Sequence, residues 1–346
     1  MSILRMNLGK DSYDILVERG VLSRVGEVLN LDRRVLILTD DGVPEMYADA
    51  VAEVCGKPVI MTIPQGENSK CVEMLADIWG VMLENGFTRT DCVVAVGGGV
   101  VGDLAGFAAA TFMRGVDFYN IPTTLLAQVD SSIGGKTAVN HNSIKNCVGA
   151  FYQPKAVVID PDVLSTLDKR QIAAGLAESI KMAATNDADL FERMEQGDLF
   201  DMLDDIIVAS LNIKKYVVEQ DATEKSLRRV LNFGHTFGHG IESQVAFEDE
   251  RGLYHGECVA LGMLPMCSAP VRERLVGVLQ KAGLPTTTNI DIDAALAAVS
   301  HDKKMEGSTI HFVYVPEIGS FEFRKASLED FASIVKNSGA FGGIHS

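Results

Sequence analysis

The stretch Asp91-Cys-Val-Val-Ala-Val-Gly-Gly-Gly-Val-Val-Gly-Asp103 decides how this chain is read. An unbroken apolar run of strand length, 92–96, meets three consecutive glycines that turn it into a helix. Gly97, Gly99 and Gly102 keep the G-x-G-x-x-G spacing that brings a pyrophosphate onto a helix N-terminus. There the first-turn N–H groups lack intrahelical partners and the helix dipole favours an anion. The same spacing also occurs in tight turns that bind nothing. In an ordinary dinucleotide fold the motif follows the first strand; here about 90 residues precede it.

Before this stretch, the spacing predicts a strand at Val35-Leu-Ile-Leu38 that ends at Thr39-Asp40-Asp41-Gly42, and then a helical stretch from Pro44 to about Cys55. A strand over 58–63, an amphipathic helix over 70–85, a helix over 103–113 and strands over 116–121 and 156–160 follow. Such alternation calls for a largely parallel sheet covered by helices. After Pro161 the texture changes. From Asp168, a suitable N-cap, the patterns are helical over 169–185, 187–195, 202–220, 235–246, 255–267 and 271–282. A short hairpin over 309–323, turning near Gly319, and a helix over 327–337 close the chain. The expected fold class is an α/β N-terminal nucleotide-binding domain, 1–160, followed by an all-α or mainly helical C-terminal domain, 161–346. The default site is a cleft between them.

At 346 residues, two domains are expected. A formal charge of −16 excludes nucleic acid and anionic membrane as partners, because phosphate backbones need a basic face. A small anion remains admissible where lysines and arginines are concentrated locally. The six cysteines show no C-x-x-C pair or framework spacing, as in a reduced cytoplasmic protein. Charges at Arg5, Lys10, Asp11, Asp14, Glu18 and Arg19 interrupt any signal-peptide core, and no apolar run has the length of a membrane span.

Three of the seven histidines, His235, His239 and His255, fall close together. In Asn232-Phe-Gly-His235-Thr-Phe-Gly-His239 two imidazoles stand four apart on one helix face, and His255 opens the next helix in Tyr254-His-Gly-Glu257. An isolated histidine is more often a satisfied core residue; three in glycine-flanked helices favour a metal. Catalytic zinc needs three protein ligands and an open position. Glu178, mid-helix among apolar neighbours, is a poor place for an unpaired carboxylate. Lys181, one turn on, could instead neutralise it. Spacing alone leaves open which two histidines bind.

The run from Ile121 to Asn146 is dense in hydroxyls, glycines and lysines and lacks the periodicity of a regular element. Gly134-Gly135 before Lys136 resembles an anion-binding nest with a point charge beside it, although the spacing is not that of a P-loop. A solvated surface loop is the plain alternative. Lys214, Arg228 and Lys303-Lys304 add cations near the histidine motif.

Together these stretches resemble the 3-dehydroquinate synthase family over nearly the whole chain, most densely from Gly97 to Pro154. The resemblance implies a fold of the dehydroquinate synthase or glycerol dehydrogenase type with a C-terminal metal-binding domain, which accounts for the late glycine motif. It implies a lyase that turns 3-deoxy-D-arabino-heptulosonate 7-phosphate into 3-dehydroquinate and phosphate. The implied steps are transient oxidation by NAD, phosphate elimination, re-reduction and intramolecular aldol closure. Implied NAD contacts are Asp40, Gly66, Glu67, Lys70, Gly99, Val100, Val101, Gly102, Asp103, Thr123, Thr124, Lys136, Lys145, Leu164, Ser165 and Thr166. Implied ligands to Zn2+ (or Co2+) are Glu178, His235 and His255, leaving His239 either to support the ligands from behind or to handle protons. Implied substrate positions are Asp130, Lys136, Asn146, Lys181, Lys214, Arg228, Asn232, His239 and Lys304. Arg114 resembles an arginine donated across a homodimer interface.

The chain departs from the family pattern at Asn142-Ser143-Ile144, in an acidic, lengthened segment around Glu248-Asp-Glu-Arg251, and in a shortened region over 263–284. Three rivals remain. A related sugar phosphate cyclase making an inosose or valiolone would depart around Asp130 to Thr137. A metal-dependent polyol dehydrogenase of the same fold would release NADH and have little use for so many lysines. A silent NAD-binding scaffold would not need a full ligand set.

Overall fold

In the computed structural model, residues 2–142, 144–245, 252–299, 305–306 and 309–341 are described. The chain divides into two compact units, Met1–Leu167 and Asp168–Ser346.

The first unit runs β1 (Ser2–Met6), β2 (Tyr13–Val17), β3 (Arg34–Asp40), α1 (Glu45–Ala52), β4 (Lys57–Ile63) and α2 (Val72–Glu84). It continues with β5 (Cys92–Gly97), α3 (Gly99–Thr111), β6 (Asp117–Pro122), β7 (Lys136–His141), β8 (Ile144–Phe151) and β9 (Ala156–Ile159). Seven strands form one sheet in the order β1-β2-β9-β6-β5-β3-β4, parallel except for β1 against β2. β5 reads as a continuous apolar run because both its faces are covered. Leu36, Leu38, Val93 and Ala95 pack in one apolar layer with residues of α2 and α3. Val35, Ile37, Cys92, Val94 and Val96 pack in the other, with Tyr47, Ala48 and Val51 of α1. Full burial of each large aliphatic side chain is worth about 1.5–3 kcal/mol.

Strand order explains the late glycine motif. From β3 the chain goes outward to β4, then crosses to β5 on the other side of β3. Strand order therefore reverses between β3 and β5, and ligands of open α/β sheets bind beyond the strand ends at such a reversal. Asp40 ends β3 and Gly97 ends β5.

The second unit comprises α4 (Lys169–Asn186), α5 (Ala188–Gln196), α6 (Leu203–Gln220), α7 (His235–Glu242), α8 (His255–Met263), α9 (Ala269–Lys281) and α10 (Ile292–Val299). β10 (Met305–Glu306), β11 (Thr309–Tyr314), β12 (Glu322–Ser327) and α11 (Leu328–Asn337) follow. α8 packs against both α4 and α7. Asp168 caps α4, its carboxylate accepting from the Arg170 N–H at 2.8 Å.

Several expectations need correction. α3 begins at Gly99, not at Asp103, so the glycine run is the helix's own first turn. The stretch 121–146 is not irregular throughout: a π-helical turn covers Ala127–Ser131, and β7 pairs with β8 as an antiparallel ribbon. β1 and β2 were not anticipated, nor was α10. The second unit is helical but not all-α, since β10, β11 and β12 form a three-stranded antiparallel sheet. The helix expected over 255–267 ends at Met263 and gives way to a tight turn, Leu264–Met266, around Pro265. Lys303, Lys304, Ser143 and the acidic run 248–251 lie outside the described residues.

Candidate active site

In the first unit the nucleotide-site candidates gather at the C-terminal ends of the parallel strands. Gly98 is the N-cap of α3 and offers no side chain; the first helical bond runs from the Gly102 N–H to the Gly98 carbonyl, 3.0 Å. The N–H groups of Gly99, Val100 and Val101 precede that bond, as an anion site requires. The glycines also serve packing. A Cβ on Gly99 would come within 3.2 Å of Ser131 Oγ, and one on Gly102 within 3.1 Å of Asn120 Nδ2. The Thr123 N–H donates to the Gly97 carbonyl at 3.0 Å, which fixes the Thr123-Thr124 corner beside this turn.

Lys70 is buried and pairs with Asp103, tying the Gly66-to-Lys70 turn to α3. Asp103 therefore holds the turn. Asn140 joins the same cluster: its N–H donates to the Lys70 carbonyl at 2.8 Å and its amide Nδ2 to Glu67 at 2.8 Å. Asn140 Oδ1 accepts from the Asn146 N–H at 2.8 Å, which brings Asn146 and its neighbour Lys145 to the ribbon edge. Asp40 is buried at the end of β3. Burial pushes its carboxyl up, against the Gly42 N–H that donates to it at 2.9 Å. Leu164, Ser165 and Thr166 lie on the turn Pro161–Thr166, where Thr166 meets the Tyr47 hydroxyl at 3.0 Å. Asp103, Ser132, Lys136 and Tyr152 line a 10 Å³ cavity. Arg114 stands exposed in a left-handed turn with Met113, their φ values being 66° and 49°.

In the second unit glycine packing builds the histidine cluster. A Cβ on Gly256 would strike the Ala174 carbonyl, and one on Gly262 the Gly234 carbonyl, so α8 lies backbone to backbone on α4 and on the start of α7. Gly238 meets the Cys258 carbonyl in the same way, at 2.9 Å. The glycine before each histidine of α7 thus lets the helices touch. The ring centroids of His235, His239 and His255 stand 5.2–5.8 Å apart.

Glu178 projects from α4 into this cluster and is fully buried. Its Oε2 accepts from Lys181, while Oε1 is buried and has no hydrogen-bond partner among the described residues. His235 Nε2 and His255 Nε2 face that same oxygen at 3.7 and 3.6 Å. Each ring is oriented from its far side: His235 Nδ1 by the Phe233 carbonyl and His255 Nδ1 by Glu242, both at 3.2 Å. A carbonyl or carboxylate oxygen only accepts, so Nδ1 carries the proton and a neutral ring presents the Nε2 lone pair. Two lone pairs and a carboxylate oxygen then point at one another, an arrangement that calls for a cation. The separations also suit a metal, because ligands about 2.1 Å from a tetrahedral zinc stand about 3.4 Å apart. At His255 burial opposes the imidazolium, but Glu242 and then Glu178 outweigh it and raise the pKa.

The second unit buries three cations in a strongly acidic chain, Lys181, Lys214 and Arg228, and Lys181 is the one paired with Glu178. Asp221 shapes the Arg228 loop, accepting from the N–H groups of Lys225 (2.9 Å), Ser226 (2.6 Å) and Arg228 (3.1 Å). Arg228 Nη1 donates to the Ala222 carbonyl at 2.8 Å. Burial raises the Asp221 carboxyl, but those N–H groups outweigh it and hold the pKa at about 2.

Some neighbours had escaped sequence reading. Glu224, at a φ of 59°, accepts from Asn232 Nδ2 at 2.8 Å. Arg170 forms a two-pronged pair with Glu257, 2.6 and 2.7 Å, and Glu257 accepts from the Tyr254 N–H at 2.8 Å, which fixes the start of α8 and so His255. The capping pattern Tyr254-His-Gly-Glu257 was the available signal. For Glu242 the signal was its place three residues after His239.

The model described as 3-dehydroquinate synthase N-terminal matches residues 60–174, and the 3-dehydroquinate synthase C-terminal model matches residues 175–305. A 3-dehydroquinate synthase of Streptococcus suis (strain 05ZYH33) is 39% identical over 355 residues, covering 96% of this chain and 99% of that protein. Among solved structures, a 2-epi-5-epi-valiolone synthase from Streptomyces hygroscopicus subsp. jinggangensis 5008, with NAD+ and Zn2+ bound, superposes with a TM-score of 0.84 at 26% identity and covers 98% of each chain. A probable glycerol dehydrogenase from Sinorhizobium meliloti 1021 shares the fold, with a TM-score of 0.60 at 18% identity over 96% of this chain and 98% of that one. Among the described residues, no helix is long and apolar enough to cross a membrane. The two matched models and the near full-length identity, laid over a nucleotide-type helix turn and a histidine–carboxylate cluster, decide the matter: the chain belongs to the 3-dehydroquinate synthase family and has that family's lyase activity in the shikimate pathway.

Proposed function

We propose that the chain converts 3-deoxy-D-arabino-heptulosonate 7-phosphate into 3-dehydroquinate and phosphate, with NAD and a zinc or cobalt ion as resident cofactors. The observation that carries this reading is Glu178 Oε1, buried, lacking a hydrogen-bond partner among the described residues, and faced by the Nε2 atoms of His235 and His255. Glu178, His235 and His255 would hold the metal. Lys181 occupies the other Glu178 oxygen, which leaves one oxygen to ligate. His239 completes the histidine cluster and in this reading serves substrate and proton rather than metal. When bound, NAD supplies a hydride acceptor that later returns the hydride, and the metal supplies a Lewis acid for adjacent substrate hydroxyls.

The chain's residues bind and orient. In the first unit, the N–H groups of Gly99, Val100 and Val101 take the NAD pyrophosphate. Asp40, Gly66, Glu67, Lys70, Gly102, Asp103, Thr123, Thr124, Lys145 and Leu164 to Thr166 frame the rest of the dinucleotide. Lys136 and Asn146 hold the substrate phosphate and Asp130 a hydroxyl. In the second unit, Arg228 suits the planar carboxylate, because its guanidinium offers a fixed fork of donors. Lys181 and Lys214 balance charge in a buried setting, Asn232 orients the substrate, and His239 moves a proton. Lys304 joins them on family resemblance alone. The first unit is then the nucleotide domain and the second the metal and substrate domain.

The chain works as a homodimer in the cytoplasm, with Arg114 reaching the partner's site. The consecutive left-handed residues at Met113 and Arg114 favour this, since each costs about 1–3 kcal/mol and such strain gathers at functional positions. Free cysteines agree with a reducing compartment.

The test is phosphate release from the heptulosonate phosphate. We expect release with NAD present, its loss in a strong chelator, and its return with zinc or cobalt. Release that survives thorough metal removal contradicts the proposal.

A further inference from the structure

We propose that Glu242 is a positioning residue for the metal: it sets the tautomer and ligand strength of His255, and so the affinity of the site. The inference rests on the metal reading given above.

Glu242 is the last residue of α7, where the helix dipole disfavours an anion, so its placement needs another reason. The structure supplies one. Its Oε2 lies 3.2 Å from His255 Nδ1, and on the other side of the ring His255 Nε2 faces Glu178 Oε1 at 3.6 Å. The carboxylate accepts the Nδ1 proton, fixes the ring plane, and leaves Nε2 as the donor atom toward the site. At His235 the Nδ1 faces instead the neutral Phe233 carbonyl at 3.2 Å. The two histidines are therefore unequal ligands. His255, backed by a full negative charge, is the stronger donor. The pair also spans elements, since Glu242 closes α7 and His255 opens α8. Outer partners of ligating histidines typically change metal affinity 10- to 100-fold.

The experiment measures zinc affinity by competition with a chromophoric chelator, and the visible spectrum of the cobalt-substituted protein, in the full chain. E242A is expected to weaken zinc about 100-fold and E242Q about tenfold, since the amide oxygen still accepts the Nδ1 proton but brings no charge. Both should keep the visible bands of the cobalt-substituted wild type, because the ligands themselves are intact. A loss smaller than threefold in whichever variant folds overturns the proposal, even if its melting temperature falls. So does a cobalt spectrum in which the wild-type bands are lost. E178Q separates the two readings: if it binds zinc as tightly as wild type, the metal site itself has been misassigned, whatever Glu242 does.

Discussion

Replacing Gly256 with alanine tests the idea that the metal geometry is set by backbone contact between helices. The new methyl would fall on the Ala174 carbonyl group, with the Ala174 Cα at only 2.8 Å. Neither neighbour is a flexible side chain, so α8 must retreat from α4 by roughly 1 Å, and overpacking of this kind costs about 1–3 kcal/mol. His255 is the residue before Gly256 and faces Glu178 on α4 at 3.6 Å. Metal sites tolerate ligand displacements of only about 0.2 Å, so G256A should lose more than tenfold in zinc affinity while remaining folded. NAD binding, which the proposed function assigns to the first unit, should stay within twofold of wild type. Zinc competition and NAD titration by calorimetry read the two sites separately. Gly277 on α9 is the control: its Cβ would meet nothing within 4 Å, so G277A should leave zinc affinity unchanged and add up to about 1 kcal/mol of stability. If G256A binds zinc like wild type, backbone packing does not set the site.

Three shorter predictions follow from the same geometry. H239N should keep one zinc per chain by elemental analysis and lose turnover, whereas H255N should lose the zinc; loss of zinc in H239N would make all three histidines ligands. Asp221, with its pKa held at about 2 against an ordinary 3.8, contributes stability that is complete above about pH 4 and lost as pH falls toward 2. D221N should therefore lower the melting temperature at neutral pH, by the equivalent of roughly 1–2 kcal/mol, and flatten its fall over that acid window. Burial pushes the thiols of Cys92 and Cys267 up to about 12, while Cys147 is exposed. A thiol reagent should accordingly label Cys147 first, and C147S should remove the fast phase.

Much of the fold was legible where burial is two-sided. β3 and β5 read cleanly because apolar layers cover both faces and leave an unbroken run. β1 did not, because it is an edge strand whose exposed positions carry Arg5 and other residues that blur the alternation. The ribbon of β7 and β8 was hidden for a similar reason: β8 is exposed along nearly its whole length, so no apolar face marked its period. The start of α3 was misplaced because glycine is a poor helix former, and propensity argued against a helix that tertiary packing enforces. The histidine cluster was visible from a four-residue spacing, and Glu178 from its apolar company. What joins them was not visible. That Gly256 and Gly262 bring helix backbones together, and that Glu242 reaches across to His255, are facts of three-dimensional approach that no local pattern encodes.

The most direct test of the central claim counts turnovers per NAD. With zinc bound and NAD held below the enzyme concentration, each NAD should support many equivalents of phosphate release, with 3-dehydroquinate formed in step and no build-up of NADH absorbance. Release that stops at one phosphate per NAD, or NADH that rises together with product, would contradict it.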